Sequence, residues 1–209
     1  MRYQQLLKNG MLLLVSAISL LFCVGWTRSW SDIEQAASKV TSIRADFTQE
    51  RHLEILDRPL ISTGVFFYRQ PAALRWEYER PIRSILLVHG SRIKRYVQKD
   101  GKFIEESGPG VDAMQFVTAE MTNWFKGRFD QSNYFEAEMV SAAGKRIRLR
   151  PKDEALSQMI RRIELTFSDT PGVIETVTVF EGETSFIKLI FTRVDVNRPM
   201  ADRVFEDVE

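Results

Sequence analysis

Two histidines, one cysteine and a few neighbouring carboxylates are the residues of this 209-residue chain whose types could carry chemistry. His52 and His89 fall on separate predicted elements, without a Glu, Asp or His cluster at metal-ligand spacing. They therefore predict exposed or hydrogen-bonded histidines and no zinc site. Glu105 with Glu106, or Glu77 with Glu79, could be imagined as the acid and base of a glycosidase. At those short separations within charged faces they predict solvated side chains instead. The chain carries no nucleophile elbow, phosphate-cradling glycine loop or nucleotide fingerprint. The expectation is a protein that is not an enzyme and needs no cofactor.

The cysteine, Cys23, sits in an apolar run from Met11 to Val24 that follows Arg2 and Lys8 and contains no charge. A basic start, a run of 14 apolar or small residues and then Trp26-Thr27-Arg28-Ser29 have the layout of a secretory signal. The run is shorter than the roughly 20 residues a helix needs to span a bilayer core. Residues 1–25 are thus expected to be a cleaved signal, with Cys23-Val24-Gly25 the best cleavage site, and residues 26–209 a single exported domain. An uncleaved anchor and an acylated Cys23 are the alternatives, and Phe22 argues against acylation, because the residue before a lipoprotein cysteine must be small. Removal after Gly25 leaves no thiol, which excludes disulfides, thiolate metal sites and cysteine nucleophiles. Without Arg2 and Lys8 the basic residues fall to 27 against 28 acidic ones, a net charge of −1, which excludes attraction to nucleic acid.

The elements that must position anything else follow from periodicity. Ser31-Asp32 supplies an N-cap, and Ile33, Ala36, Ala37 and Val40 recur at helical spacing. From Ile43 onward the period becomes two, through Phe47, Leu60 to Tyr68, Leu74 to Glu79, Ile82 to Val88 and Ile93 to Val97. Short breaks such as Gln70-Pro71, Arg80-Pro81 and Lys99-Asp100-Gly101 separate these runs. Val111 to Phe125 carries Met114, Val117, Met121, Trp124 and Phe125 on one helical face. Strands resume over Tyr134 to Val140, Lys145 to Arg150, Arg161 to Phe167, Val173 to Glu181 and Thr184 to Val194, while Pro151 to Ser157 reads as a polar connection. Strict alternation, as in Leu74, Trp76 and Tyr78 against Arg75, Glu77 and Glu79, gives one wet and one dry face. The predicted fold is mainly β with α: a single strongly curved antiparallel sheet, a half-open barrel, with helices covering its mouth. Two helices are too little material to cover about ten strands by flat packing, so the sheet must curl.

The series Phe47-Thr48-Gln49, Gly64-Val65-Phe66-Phe67-Tyr68-Arg69-Gln70-Pro71, Leu74-Arg75-Trp76-Glu77-Tyr78, Arg80-Pro81 and Leu87-Val88-His89-Gly90 resembles the periplasmic outer-membrane lipoprotein carrier (LolA) family. Pro171-Gly172, Glu181-Gly182, Val194-Asp195-Val196-Asn197 and Pro199 to Phe205 continue the likeness to the end of the chain. The resemblance implies a periplasmic monomer whose apolar cavity takes lipoprotein acyl chains from an inner-membrane releasing transporter and passes them to an outer-membrane acceptor. It also implies an arginine before the proline of the first turn that ties sheet to lid. Here that position is Gln70, and Arg69 points to the other face of its strand.

On this basis the cavity is expected to be lined by Phe47, Phe67, Leu74, Trp76, Leu86, Met114, Met121, Trp124 and Phe125, with Gln70 or Arg69 as the gate. Phe66 and Tyr68 are as apolar as Phe67, so the face of that strand stays open. Arg51-His52-Leu53 and Pro59 to Gly64 look closer to carrier-like relatives found with lipid or polyene biosynthesis. A non-lipoprotein lipid or polyene cargo is therefore one alternative. A membrane-attached LolB-like acceptor or envelope sensor is another.

Overall fold

The computed structural model describes residues 29–90, 92–107, 120–141 and 145–208. The expected signal and Met114 lie outside these residues. Helix α1 (Trp30–Ser38) is capped by Ser29, which forms a reciprocal capping box with Asp32. Ile33 and Ala37, four apart, are the residues it buries.

Eleven strands follow: β1 (Ser42–His52), β2 (Leu60–Arg69), β3 (Ala73–Arg80), β4 (Ser84–His89), β5 (Arg92–Lys99), β6 (Lys102–Glu106), β7 (Phe135–Met139), β8 (Arg146–Pro151), β9 (Arg162–Phe167), β10 (Ile174–Phe180) and β11 (Phe186–Val196). They make one sheet in the order β6-β5-β4-β3-β2-β1-β11-β10-β9-β8-β7. Every pairing is antiparallel, β1 joins the two meanders through β11, and β6 and β7 remain unclosed edges. The expected curled, unclosed sheet is what the chain forms. Residues 120–125 are helical, as the Met121, Trp124, Phe125 spacing predicts. Three features escaped the sequence reading. β6 is short and alternates weakly. Helix α2 (Glu154–Met159) is six residues long and fully buries none of them, so its apolar signal, Leu156 and Met159, is short. The 3-10 turn Asp202–Phe205 is a single turn.

Antiparallel pairing sends alternate connections to opposite ends of the sheet. At one end lie the turns around Gln70, Gly90 and Gly172 together with the chain from α1 to β1. At the other lie loops 53–59, 81–83, 100–101 and 181–185 and the α2 connection. Among the described residues the first end is closely packed. Gly172 and Gly127, both at positive φ, lie so close to α1 that a Cβ would stand 2.7 Å from the Ala36 and Glu34 backbones respectively. Phe66, Phe125 and Phe191 meet at ring-centroid distances of 5.3 and 5.6 Å about Phe66, and only about 10 Å³ of space remains among them.

The outer face is dressed by the C-terminal segment. Arg75 reaches the carbonyl of Val204 and pairs with Glu77 at 2.8 Å, while Phe205 is fully buried. Phe67 belongs to this outer side: the buried residues of β2 are Gly64, Phe66 and Tyr68, and Phe67 pairs across to Arg75. The expectation that Phe67 faces the interior is corrected accordingly, because its immediate neighbours Phe66 and Tyr68 take the inward pleat positions.

Candidate functional site

Toward the other end the same inner face encloses a hollow. From the β1 side the wall is built by Leu74, Trp76 and Tyr78 of β3 and Leu86 of β4. From the opposite side it is built by Phe135, Ile163, Val177, Val179, Ile187 and Leu189, with Met121 and Trp124 of the helical segment 120–125 laid over them. The cavity measures about 620 Å³. That lies within the roughly 300–1,000 Å³ common for small-molecule sites. Each wall residue is there because of strand pairing. Trp76 sits opposite Phe66 and Leu86, Leu189 opposite Val177, and Val177 opposite Leu165, so inward pleat positions align across the sheet.

Polar groups are confined to a few places. Tyr78 donates its hydroxyl to Gln49 at 2.7 Å, and burial pushes its phenol up to about 12, with Arg95 pulling partly the other way. It is therefore a neutral donor at physiological pH. Arg51 pairs with Glu181 at 3.4 Å, and Arg95, which also lines the hollow, pairs with Glu106 at 3.1 Å. Glu120 is buried on the helical segment and accepts from Ser132 at 2.9 Å. Desolvation raises its pKa above the ordinary carboxylate value, opposed by Ser132, Asn123 and Lys152. The indole N–H groups of Trp76 and Trp124 are buried without an acceptor among the described residues. Each such orphan costs about 1–3 kcal/mol.

The residues singled out from the sequence for chemistry stay apart. His52 stacks on Phe186 at 4.1 Å at the end of β1, while His89 lies 3.7 Å from Glu206 at the far end of β4. Glu105 binds Lys94 and Tyr96, whereas its neighbour Glu106 binds Arg95 on the other face. Glu77 is held between Arg75 and Arg83. Among the described residues no three metal-ligating side chains converge.

Of the residues expected to line a cavity, Leu74, Trp76, Leu86, Met121 and Trp124 do so. Phe47 lies beneath the wall, edge-on to Trp76 and Tyr78 at 5.5 and 5.1 Å. Phe125 fills the packed end, stacked on Tyr68 at 4.8 Å. The expected gate residues separate. Gln70 donates to the Val40 carbonyl at 3.0 Å, tying the end of β2 to the segment between α1 and β1. Arg69 turns outward to the Met200 carbonyl and Asp202 and stacks over Phe205. It anchors the C-terminal segment on the outer face, away from the wall of the hollow. The whole wall from β9 to β11 was missed, although the dry alternation of Ile163 and Leu165 pointed to it.

A curved, unclosed antiparallel sheet roofed by helix surrounds an apolar hollow, and among the described residues no metal-ligating groups converge on it. The family described as outer membrane lipoprotein carrier protein LolA matches residues 38–207, and the chain belongs to that family. The outer-membrane lipoprotein carrier protein of Pasteurella multocida (strain Pm70) is 24% identical over 212 residues, covering 95% of this chain and 92% of that one. Among solved structures, a LolA superfamily protein from Nitrosomonas europaea has a TM-score of 0.42 at 10% identity, covering 85% of this chain and 97% of its own. Lipoprotein LppX of Mycobacterium tuberculosis has a TM-score of 0.44 at 12% identity, covering 82% and 94%. The MucA/MucB complex of Pseudomonas aeruginosa has a TM-score of 0.40 at 18% identity, covering 84% of this chain and 59% of the matched chain.

Proposed function

We propose that this protein is a non-enzymatic periplasmic carrier, exported by its N-terminal signal, that shields the acyl chains of lipoproteins between the inner and outer membranes. The observation that carries this reading is the apolar hollow of about 620 Å³ between the sheet and the helical segment 120–125. An acyl chain needs no directional chemistry to enter it, since each buried methylene contributes about 0.8 kcal/mol. Membership of the lipoprotein carrier family and the likeness to the Pasteurella carrier support the cargo class.

A carrier must also release its cargo. Met121 and Trp124 pack on the wall, and a guest that displaces them loses part of its binding energy to their repacking. The unbranched Met121 suits a surface that repacks. Gln70 holds the sheet to Val40 by a neutral hydrogen bond, weaker than the charge-assisted one an arginine provides. This departure from the arginine that the resemblance implies favours a second reading, in which the cargo is a free lipid or polyene product.

Native mass spectrometry of the protein isolated from its own envelope tests both. A bound mass of an acylated protein supports the first reading, and that of a free lipid the second. Trp76→Glu and Leu74→Glu should abolish either adduct while export continues. An unaltered protein that carries no lipid and takes up no fluorescent fatty acid overturns the carrier reading.

A further inference from the structure

All eight large apolar side chains that are strongly exposed among the described residues lie toward one end of the sheet, the end at which the hollow is lined by Arg51, Met159 and Glu181. Ile55 and Leu56 ride the β1–β2 loop at 88% and 42% exposure, Leu60 and Ile61 begin β2, Ile82 stands in the β3–β4 turn at 64%, and Met159 closes α2 at 69%. The other two, Ile104 and Tyr134, sit on β6 and just ahead of β7 in the same half. Exposed aliphatics so segregated toward one end of the fold mark an interaction surface.

Their arrangement indicates what they meet. Most of them are carried on separate connections at the end of the sheet where the hollow opens. A rigid protein partner would have to fill the mouth as well as cover the ring, whereas a deformable acyl layer accommodates separate protrusions. The ring is continuous with the interior through Met159, which is both exposed and part of the cavity wall. The charges between the protrusions are mixed: Arg58, Arg80 and Arg161 stand among Glu54, Asp57, Glu79 and Glu183, so the rim has no single-sign field. Such a rim matches a zwitterionic headgroup layer better than a strongly anionic one.

We propose that the cavity mouth docks directly on a lipid bilayer, with the tip around Ile55 and Leu56 and the Ile61 and Ile82 side chains immersed in the headgroup–acyl boundary, so that an acyl chain passes between bilayer and cavity without crossing water. Immersion of such side chains reaches about 5–10 Å and scales with the apolar area buried. The purpose given to this docking rests on the carrier reading, but the docking itself does not.

The test places an environment-sensitive fluorophore at Leu56→Cys in a Cys23→Ser background of the full chain, mixed with phosphatidylcholine–phosphatidylethanolamine vesicles. The dye reports only on the loop tip, so attachment through the N-terminal apolar run gives no signal. Blue-shifted emission, quenched by brominated lipid and equal at low and high salt, is the expected result. Adding Ile61→Asp and Ile82→Asp should weaken the lipid dependence by about tenfold or more. A dye that remains in water at saturating vesicles overturns the proposal, as does immersion that needs anionic lipid and disappears in salt, or immersion indifferent to the two aspartates. Acyl cargo retained by the Ile61→Asp, Ile82→Asp protein leaves the carrier reading intact whichever way docking falls.

Discussion

The two ends of this sheet are made of the same strands with the same inward alternation, yet one is solid and the other hollow. At the solid end Phe66, Phe125 and Phe191 meet with about 10 Å³ to spare, and α1 lies against the close-approach glycines 127 and 172. At the other, Leu86, Val179 and Ile187 face about 620 Å³ of unfilled space. The difference lies in what the connections deliver. The connections at the solid end bring α1, which buries Ile33 and Ala37 under the sheet. Those at the hollow end bring α2, which fully buries none of its residues and adds only Leu156 at the core and Met159 at the cavity wall. An inward apolar residue is thus core or binding wall according to what its neighbours place above it.

Mutations should separate the two ends. The largest effect is expected from Phe66→Ala, which removes the ring at the centre of the solid end and should cost about 3–5 kcal/mol in urea unfolding. Leu86→Ala, which only widens an existing hollow, should cost about 1 kcal/mol or less. Equal losses would erase the distinction. Arg75→Met should cost about 3 kcal/mol, since it leaves Glu77 short of one partner and releases the Val204 carbonyl. Limited proteolysis should then begin in the C-terminal segment while the cavity still binds lipid.

Gly64→Ala addresses the boundary between the ends. Its Cβ would stand 1.9 Å from the Glu77 carbonyl oxygen and 2.9 Å from the Phe47 ring, so β2 and β3 must separate beneath the cavity wall. A loss of about 2 kcal/mol is expected. Gln70→Arg should change stability by only about 1 kcal/mol. Its main effect should be slower lipid release, measured by transfer of a fluorescent fatty acid to vesicles, because a charged donor would hold the Val40 carbonyl more firmly.

The smallest effect is a pH dependence at Glu120. Burial raises its folded pKa above 4.5, so the native state holds the proton more tightly than the unfolded chain. Its contribution is complete below the unfolded value and is lost as pH rises through the raised native one. Glu120→Gln should therefore flatten the fall in the urea midpoint from acid to neutral pH. An unchanged profile would mean that Glu120 stays hydrated at the lid.

Much of the fold was legible because alternation is a local property. Leu74, Trp76 and Tyr78 declare a two-sided strand whatever surrounds them, and a long run of such strands with short turns leaves little but an antiparallel meander. Phe67 shows where this reading stops. In Gly64-Val65-Phe66-Phe67-Tyr68 apolar residues occupy both parities, so the sequence has no phase, and the pairing of Phe66 with Ala45 and Trp76 had to set it. Arg69 and Gln70 were ambiguous for the same reason until Arg69 met Asp202 and Gln70 met Val40. The wall from β9 to β11 was visible as dry alternation. That Val177 and Leu189 face Trp76 across a cavity was not, because those residues are about 100 positions apart in the chain.

What the sequence by itself determined is most of the strands and the sign of most of their faces, since these depend on residue type and spacing within a few positions. Tertiary structure alone decided which part of the dry face is filled and which is left empty. Filling depends on volumes brought together from distant segments, and periodicity carries no information about volume. The hollow, its aliphatic rim and the outward role of Arg69 all arise at that level.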